Sequence, residues 1–139
     1  MVAATQQEKF ALHRVRRAFV YVPDRFGLTG WRILPSPYET GHKIEGDCED
    51  FALTLAYELH DRLLVRFLLA NLLFRTVVWV GFTANGRPHA ALRHRGLWAD
   101  NIFPVWSKSP SPHKMIFPVW GPFLWLFLLL GQLGRVFRR

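Results

Sequence analysis

The chain has 139 residues, a length that suggests one domain and suffices to bury a core without disulfides. Half of its residues are apolar and 15% are aromatic, which argues against a disordered chain, and its single cysteine excludes an internal disulfide. The formal net charge is +8, and no acidic residue follows Asp100. A basic end suggests contact with anionic lipid, nucleic acid or an acidic partner.

The first half of the chain predicts two helices joined by a long loop. Residues 5–20 have the pattern of a basic amphipathic helix, and residues 21–46 are punctuated by glycine and proline. Asp47 is placed to cap a second helix over 48–64, which carries an apolar face. Residues 1–20 carry five charges and no continuous apolar run, so we expect no secretory signal.

The middle of the chain predicts an antiparallel meander. Residues 75–83 are β-branched and aromatic, Asn85-Gly86 is a hairpin signal, and residues 88–94 form the return strand. Arg95-Gly96 makes a second turn before a strand at 97–101. The order helix, loop, helix, meander predicts an α+β fold in which the cysteine-bearing helix packs on a small antiparallel sheet.

The rest of the chain predicts a separate segment. We assign residues 1–104 to a domain and residues 105–139 to a Pro/Ser linker with an apolar, basic end. Residues 115–134 carry no charge, and this length as a helix would just span a bilayer. Pro118 and Pro122 interrupt that helix, so the pattern is equally compatible with a helix that lies on a membrane or packs on a partner.

We expect this end to attach the protein to a membrane or a larger assembly. Its removal, from residue 115 onward, should then leave residues 1–104 folded. The pentapeptide IFPVW occurs twice, at 102–106 and 116–120, which is too little to define a repeat architecture.

Cys48 is a candidate nucleophile because a helix start favours its thiolate and offers free N–H groups to an oxyanion. Three acidic residues work against this if they point at the sulfur, since they would raise the thiol pKa: Asp47, Glu49 and Asp50. The alternative is a small buried cysteine without chemistry.

A nucleophilic thiol needs a base, and the base needs a group that orients it. If Arg95-Gly96 is a two-residue turn, alternation places His89 and Asp100 diagonally on one sheet face, within reach of each other. A shift of one residue would bring Asn101 opposite His89 instead. Either side chain would hold the imidazole.

Three motifs together resemble the bacterial and phage transglutaminase-like cysteine proteinases, which have a papain-like fold. They are GDCEDFA at 46–52, HAAL at 89–92 and LWADN at 97–101, and the similarity covers about residues 31–104. The resemblance implies that Cys48 is the nucleophile, His89 the general base and acid, and Asp100 the residue that orients His89. It also implies a thiol hydrolase or peptidase that acts on a protein or on peptidoglycan peptides.

Other classes of site are disfavoured by the sequence. A basic cluster at Lys9, Arg14, Arg16 and Arg17 comes without a base-reading motif, so we expect no nucleic-acid partner. His42 and Cys48 lack two further ligands at zinc spacing, and no glycines have a phosphate-binding spacing, so we expect no metal and no cofactor. A calcium site from the acids at 45–50 is a minor alternative, because these acids suit the helix start.

Trp31, in the loop before the cysteine, is a candidate for lining the cleft, although a packing role is the simpler interpretation. Asp47 and Asn101 are the other supporting residues.

Two functions of different classes remain. The first is an active cysteine hydrolase, possibly encoded by a phage or prophage, in which water or an amine resolves the thioester. The second is a catalytically silent structural or assembly protein that keeps the fold. We expect a cytoplasmic or virion-associated protein, with an association with the inner membrane through residues 115–139 left open.

Overall fold

The computed structural model describes residues 3–22, 43–110 and 112–137, with side chains for all of these except 131 and 133–137. Within these ranges the chain forms four α-helices and six β-strands, and the predicted α+β class is confirmed. In chain order they are α1 (Gln6–Ala18), β1 (Phe19–Tyr21), β2 (Ile44–Gly46), α2 (Cys48–Leu59), α3 (Leu64–Leu72), β3 (Thr76–Phe82), β4 (Pro88–His94), β5 (Leu97–Ala99), β6 (Lys114–Val119) and α4 (Pro122–Phe137).

Both predicted helices in the first half are present. A capping box between Thr5 and Glu8 fixes the start of α1. The predicted N-cap of α2 is confirmed, since Asp47 accepts from the N–H of Asp50 at 3.2 Å and donates its own N–H to the Asp50 carboxylate. The helix ends at Leu59 and not at residue 64, because the chain turns there through two residues with positive φ, Asp61 and Arg62.

Four strands form an antiparallel sheet in the order β5-β4-β3-β6, and β1 and β2 form a separate parallel pair. In the β4–β5 hairpin, Arg95 and Gly96 both have positive φ, as a two-residue type I′ turn requires. His94 therefore pairs with Leu97 and Leu92 with Ala99, which is the register that the two-residue turn predicts.

The central strand β4 is buried on both faces. Ala90 and Leu92 point toward α2 and join Phe51 and Leu55 in the main hydrophobic core. By alternation, His89 and Ala91 point to the other face, and both are almost fully buried as well. The cysteine-bearing helix thus packs on the small antiparallel sheet.

The sheet continues past the predicted boundary after residue 104. The strand β6 pairs with β3, and Val119 and Leu124 are fully buried in the main core. Asn71 ties this part to the rest, since its amide donates to the carbonyls of Thr76 and Val119 and accepts from the N–H of Gly121 at 2.7 Å. Whether residues 1–104 fold without residues 115–139 stays a prediction, and this packing argues against it.

A wide apolar surface runs over α3, β6 and α4. More than two fifths of each of these side chains is exposed: Leu64, Val65, Leu69, Leu72, Leu73, Ile116, Phe117, Phe123, Trp125, Leu126 and Leu129. Among the described residues, every helix falls short of the length and apolarity that a bilayer crossing requires.

A buried hydrogen-bonded chain links α1, α2 and the sheet. His60 Nε2 lies 2.9 Å from Thr76 Oγ1, which lies 2.7 Å from Nδ1 of His94. Nε2 of His94 lies 3.0 Å from the Glu8 carboxylate, which can only accept, so Nε2 carries the ring proton, Nδ1 accepts from Thr76 and Thr76 accepts from His60. Glu8 also accepts two hydrogen bonds from Arg95. Among the described residues, no buried side-chain polar atom of this chain lacks a partner, so we interpret it as structural.

The pKa values within this chain follow from its partners. Burial lowers the pKa of His94 to about 4, so its imidazole is neutral at pH 7. Burial alone would raise the pKa of Glu8, but the hydrogen bonds from Arg95 and from the Thr5 backbone outweigh burial and lower it to about 2.

We predict that Glu8→Gln lowers the free energy of unfolding by about 2 kcal/mol, the usual scale for buried hydrogen bonds to a charged group. Chemical denaturation at pH 7 measures this. Asp61→Asn is the control: it removes an ion pair with Arg66 in which both side chains are more than half exposed, and should cost well under about 1 kcal/mol. Equal losses in the two variants would contradict the structural role of Glu8.

The contributions of His94 and Glu8 to stability should be lost on acidification in two stages. Between pH 6.5 and about 4 the unfolded chain protonates His94 while the folded protein does not, so each step toward acid favours unfolding. Between pH 4.5 and about 2 the same holds for Glu8, whose folded-state pKa is the lower one. The raised pKa of Glu49 acts in the opposite direction between pH 8 and 4.5, so the test is denaturation of Glu49→Gln at pH 7, 5 and 3. An unfolding free energy of Glu49→Gln that is constant from pH 7 to pH 5 would contradict this account.

Candidate active site

Cys48 is the first residue of α2 and is 9% exposed. The capping box and the first helical bond use the N–H groups of Asp47, Asp50 and Phe51. The N–H of Cys48 takes no part in them, so at the helix start it is available to an oxyanion. The sequence-based placement of the thiol at a helix N-terminus is therefore confirmed.

The sulfur lies at an open edge of β4. The backbone N–H of Ala90 lowers the pKa of the Cys48 thiol, so this N–H lies near the sulfur. Since β5 pairs only with residues 92–94, no described strand pairs with that edge of β4 at Ala90, and the thiol lies near it. Cys48 is thus placed beside the peptide unit that joins Ala90 to His89.

The environment of the thiol favours its neutral form. Burial raises the pKa of Cys48 well above its usual range, and the charges of Glu49 and Asp47 raise it further. The thiol donates to Glu49 Oε2 at 3.6 Å. Burial and a hydrogen bond with Asp47 raise the pKa of Glu49 in turn. The acidic residues beside the cysteine therefore do more than serve the helix start.

His89 and Asp100 are in contact, as the hairpin register predicts. His89 Nε2 lies 3.4 Å from Asp100 Oδ2, which is longer than an ordinary hydrogen bond, and both side chains are buried. The other oxygen, Oδ1, accepts the backbone N–H groups of Ile102 and Phe103 at 2.8 and 2.7 Å. Burial would raise the pKa of Asp100, but His89 and these two N–H groups lower it.

A second histidine shares this carboxylate. His113 Nε2 lies 3.5 Å from Asp100 Oδ2, and its ring centroid is 4.4 Å from that of His89. Phe103 contacts His113 in turn, with ring centroids 5.3 Å apart. Phe103 and His113 therefore cover the His89–Asp100 pair on the sheet face away from α2.

The supporting residues have mixed outcomes. The observed register gives Asp100, and not Asn101, the contact with His89. Asn101 Oδ1 is buried and has no hydrogen-bond partner among the described residues. Trp31 lies outside the described residues.

Two residues near the site were missed at the sequence level. Tyr21 lies close enough to Cys48 that burial, Cys48, Asp47 and Glu49 raise the pKa of its hydroxyl. Tyr21 is brought to the site by its parallel pairing with Gly46. The sequence does not predict this pairing, because a long loop separates the two residues. His113 was missed because the 105–113 segment reads as a linker, and only the pairing of β6 with β3 brings it to the site.

Known proteins give no identity for this chain: no protein-family model and no curated protein sequence matches it.

We predict that Glu49→Gln makes the thiol more reactive above pH 8, because it removes a carboxylate that disfavours the thiolate. The rate of alkylation by iodoacetamide should rise about tenfold, the effect of about one unit in the thiol pKa. Glu45→Gln is the control, since Glu45 is an exposed acid on β2. Equal rates for Glu49→Gln and the unmodified protein would contradict this account, as would fast alkylation of the unmodified protein at pH 7.

Proposed function

We propose that the protein is a cysteine hydrolase of the transglutaminase-like class, with a papain-like arrangement of Cys48, His89 and Asp100. The observation that supports this proposal is the position of the thiol at the start of α2, near the backbone N–H of Ala90, the residue after His89. His89 itself contacts Asp100. The motifs GDCEDFA, HAAL and LWADN supply these residues in the order typical of that family.

We assign a role to each ring nitrogen of His89 from its contact with Asp100. Nε2 faces the Asp100 carboxylate, so it carries the ring proton in the neutral imidazole. Nδ1 is then the atom that takes the proton from Cys48. Since Asp100 Oδ1 is fixed by two backbone N–H groups, Asp100 can hold the tautomer and stabilise the imidazolium that forms.

The reaction begins from a neutral thiol, because burial keeps the thiol protonated. His89 Nδ1 removes the proton as the sulfur attacks an amide carbonyl carbon, and the N–H of Cys48 stabilises the oxyanion. Such a donor is typically worth about 3 kcal/mol. The imidazolium then protonates the leaving amine and a thioester remains on Cys48. Water, deprotonated by His89, releases the acid; an amine in its place would give a transamidation product.

The proposed substrate is an amide in a protein or a peptidoglycan peptide, and a phage or prophage origin fits the resemblance. Tyr21 pairs with Gly46, two residues before Cys48, and is more than half exposed, so its hydroxyl is available to contact the substrate.

A second candidate function is a catalytically silent structural or assembly protein. Two observations favour it: Phe103 and His113 cover the His89–Asp100 pair, and a wide apolar surface on α3, β6 and α4 is exposed. In that role the apolar surface would bind a membrane or a larger assembly such as a virion. Under this alternative the thiol is inert and the fold alone is used.

An acylating probe separates the two candidates. A peptide thioester should acylate Cys48 of the full-length protein, and His89→Ala should slow acylation by about 100-fold or more, the usual contribution of a general base. Mass spectrometry of the labelled peptide measures both rates.

His13→Ala is the matched control, because His13 is exposed on α1 and should leave the rate unchanged. Equal, slow labelling in the unmodified protein and in His89→Ala would reject the hydrolase and favour the assembly protein.

A further inference from the structure

The buried group formed by His89, Asp100 and His113 has the shape of a metal site. The three side chains each offer one ligand atom, and these atoms all lie within 4.8 Å of one another. Two of the separations are 3.4 and 3.5 Å, from each histidine Nε2 to the same carboxylate oxygen. Ligands at tetrahedral positions around zinc, with bonds of about 2.0–2.2 Å, are about 3.4 Å apart. Cys48 is not a member of this group.

The group also lacks the partners that buried polar atoms normally have. His89, Asp100 and His113 are 5%, 5% and 7% exposed. Nε2 of His89 and both ring nitrogens of His113 are buried with no hydrogen-bond partner among the described residues. Leaving such atoms unpaired costs free energy, and a cation between them would satisfy both Nε2 atoms together with the carboxylate.

The backbone around Gly81 brings His89 and His113 close together. Gly81 on β3 pairs with His89 on one side and with Met115 on the other, so it separates the two histidine-bearing segments. A Cβ at Gly81 would collide with the carbonyl oxygen of Lys114. Glycine therefore permits the close approach of β6 at its bulge, and with it the contact of the His113 ring with His89.

We propose that His89, Asp100 and His113 bind one divalent transition-metal ion of the zinc class. Two imidazoles and one carboxylate suit zinc and its first-row neighbours, whereas calcium and magnesium prefer all-oxygen sites. Three protein ligands leave a fourth position open. A pocket of 160 Å³, lined by Asp100 and Phe103 among others, gives a path to the carboxylate.

With the ion bound, His89 could not act as the general base. A neutral imidazole bound to a metal through Nε2 carries its proton on Nδ1, so it cannot accept a proton from Cys48. Metal binding is thus expected to slow acylation of the thiol. This consequence rests on the proposed hydrolase function, whereas the metal site itself does not.

The test uses the full chain with Cys48→Ser, which cannot be a thiol hydrolase, so failure of the metal site is distinguishable from failure of the proposed function. After treatment with a chelator, calorimetric titration with zinc should show one ion per chain. Cobalt(II) should give the visible absorption of a four-coordinate site. His113→Gln should weaken zinc binding by about 100-fold or more.

His13→Gln is the matched control, since it removes an exposed histidine and should leave binding unchanged. Asp100→Asn supplies a second ligand variant, and X-ray absorption at the zinc edge of the Cys48→Ser protein should show imidazole and oxygen ligands without sulfur. The X-ray absorption measurement uses only the Cys48→Ser protein, so it tests the proposal even if both ligand variants fail to fold. Absence of stoichiometric binding, equal affinity in His113→Gln, or loss of binding in His13→Gln would overturn the proposal.

Discussion

The pairing of β4 is the constraint on which both the core and the site depend. One face of this strand, at Ala90 and Leu92, packs on α2, and the opposite face carries His89 toward Asp100. No described strand pairs with its outer edge at Ala90 because β5 is short, and the thiol of Cys48 lies near that edge. A slip of one residue would exchange the two faces, burying histidine against α2 and removing its contact with the carboxylate.

The local part of this arrangement is readable from the sequence, and the non-local part is not. The Asp47 cap and the Arg95-Gly96 turn act over a few residues, so the helix start and the hairpin register were predictable. The two IFPVW copies differ: residues 116–120 contribute most of β6, whereas residues 102–106 have no regular structure. The second copy becomes a strand because it pairs with the edge of β3, and the local sequence of the two copies does not predict which one does so.

The molecule contains two buried histidine–carboxylate groups with opposite character. In the first, His94 and Glu8 have every polar atom paired, which suits a structural role. In the second, His89 and His113 share Asp100 while three ring nitrogens lack hydrogen-bond partners within the described residues. A protein retains such unsatisfied groups at the expense of stability, so the second group is where ligand or proton chemistry is expected.

The central proposal is spatial: the sulfur of Cys48 and the ring of His89 act together, although the register turns that ring to the sheet face away from α2. Dibromoacetone, a three-carbon reagent that alkylates two nucleophiles in turn, tests this directly in the unmodified full-length protein. The account predicts a cross-link between the peptide that contains Cys48 and the peptide that contains His89, identified by mass spectrometry after digestion. Alkylation of Cys48 at one end only, or a cross-link from Cys48 to another residue, would contradict it.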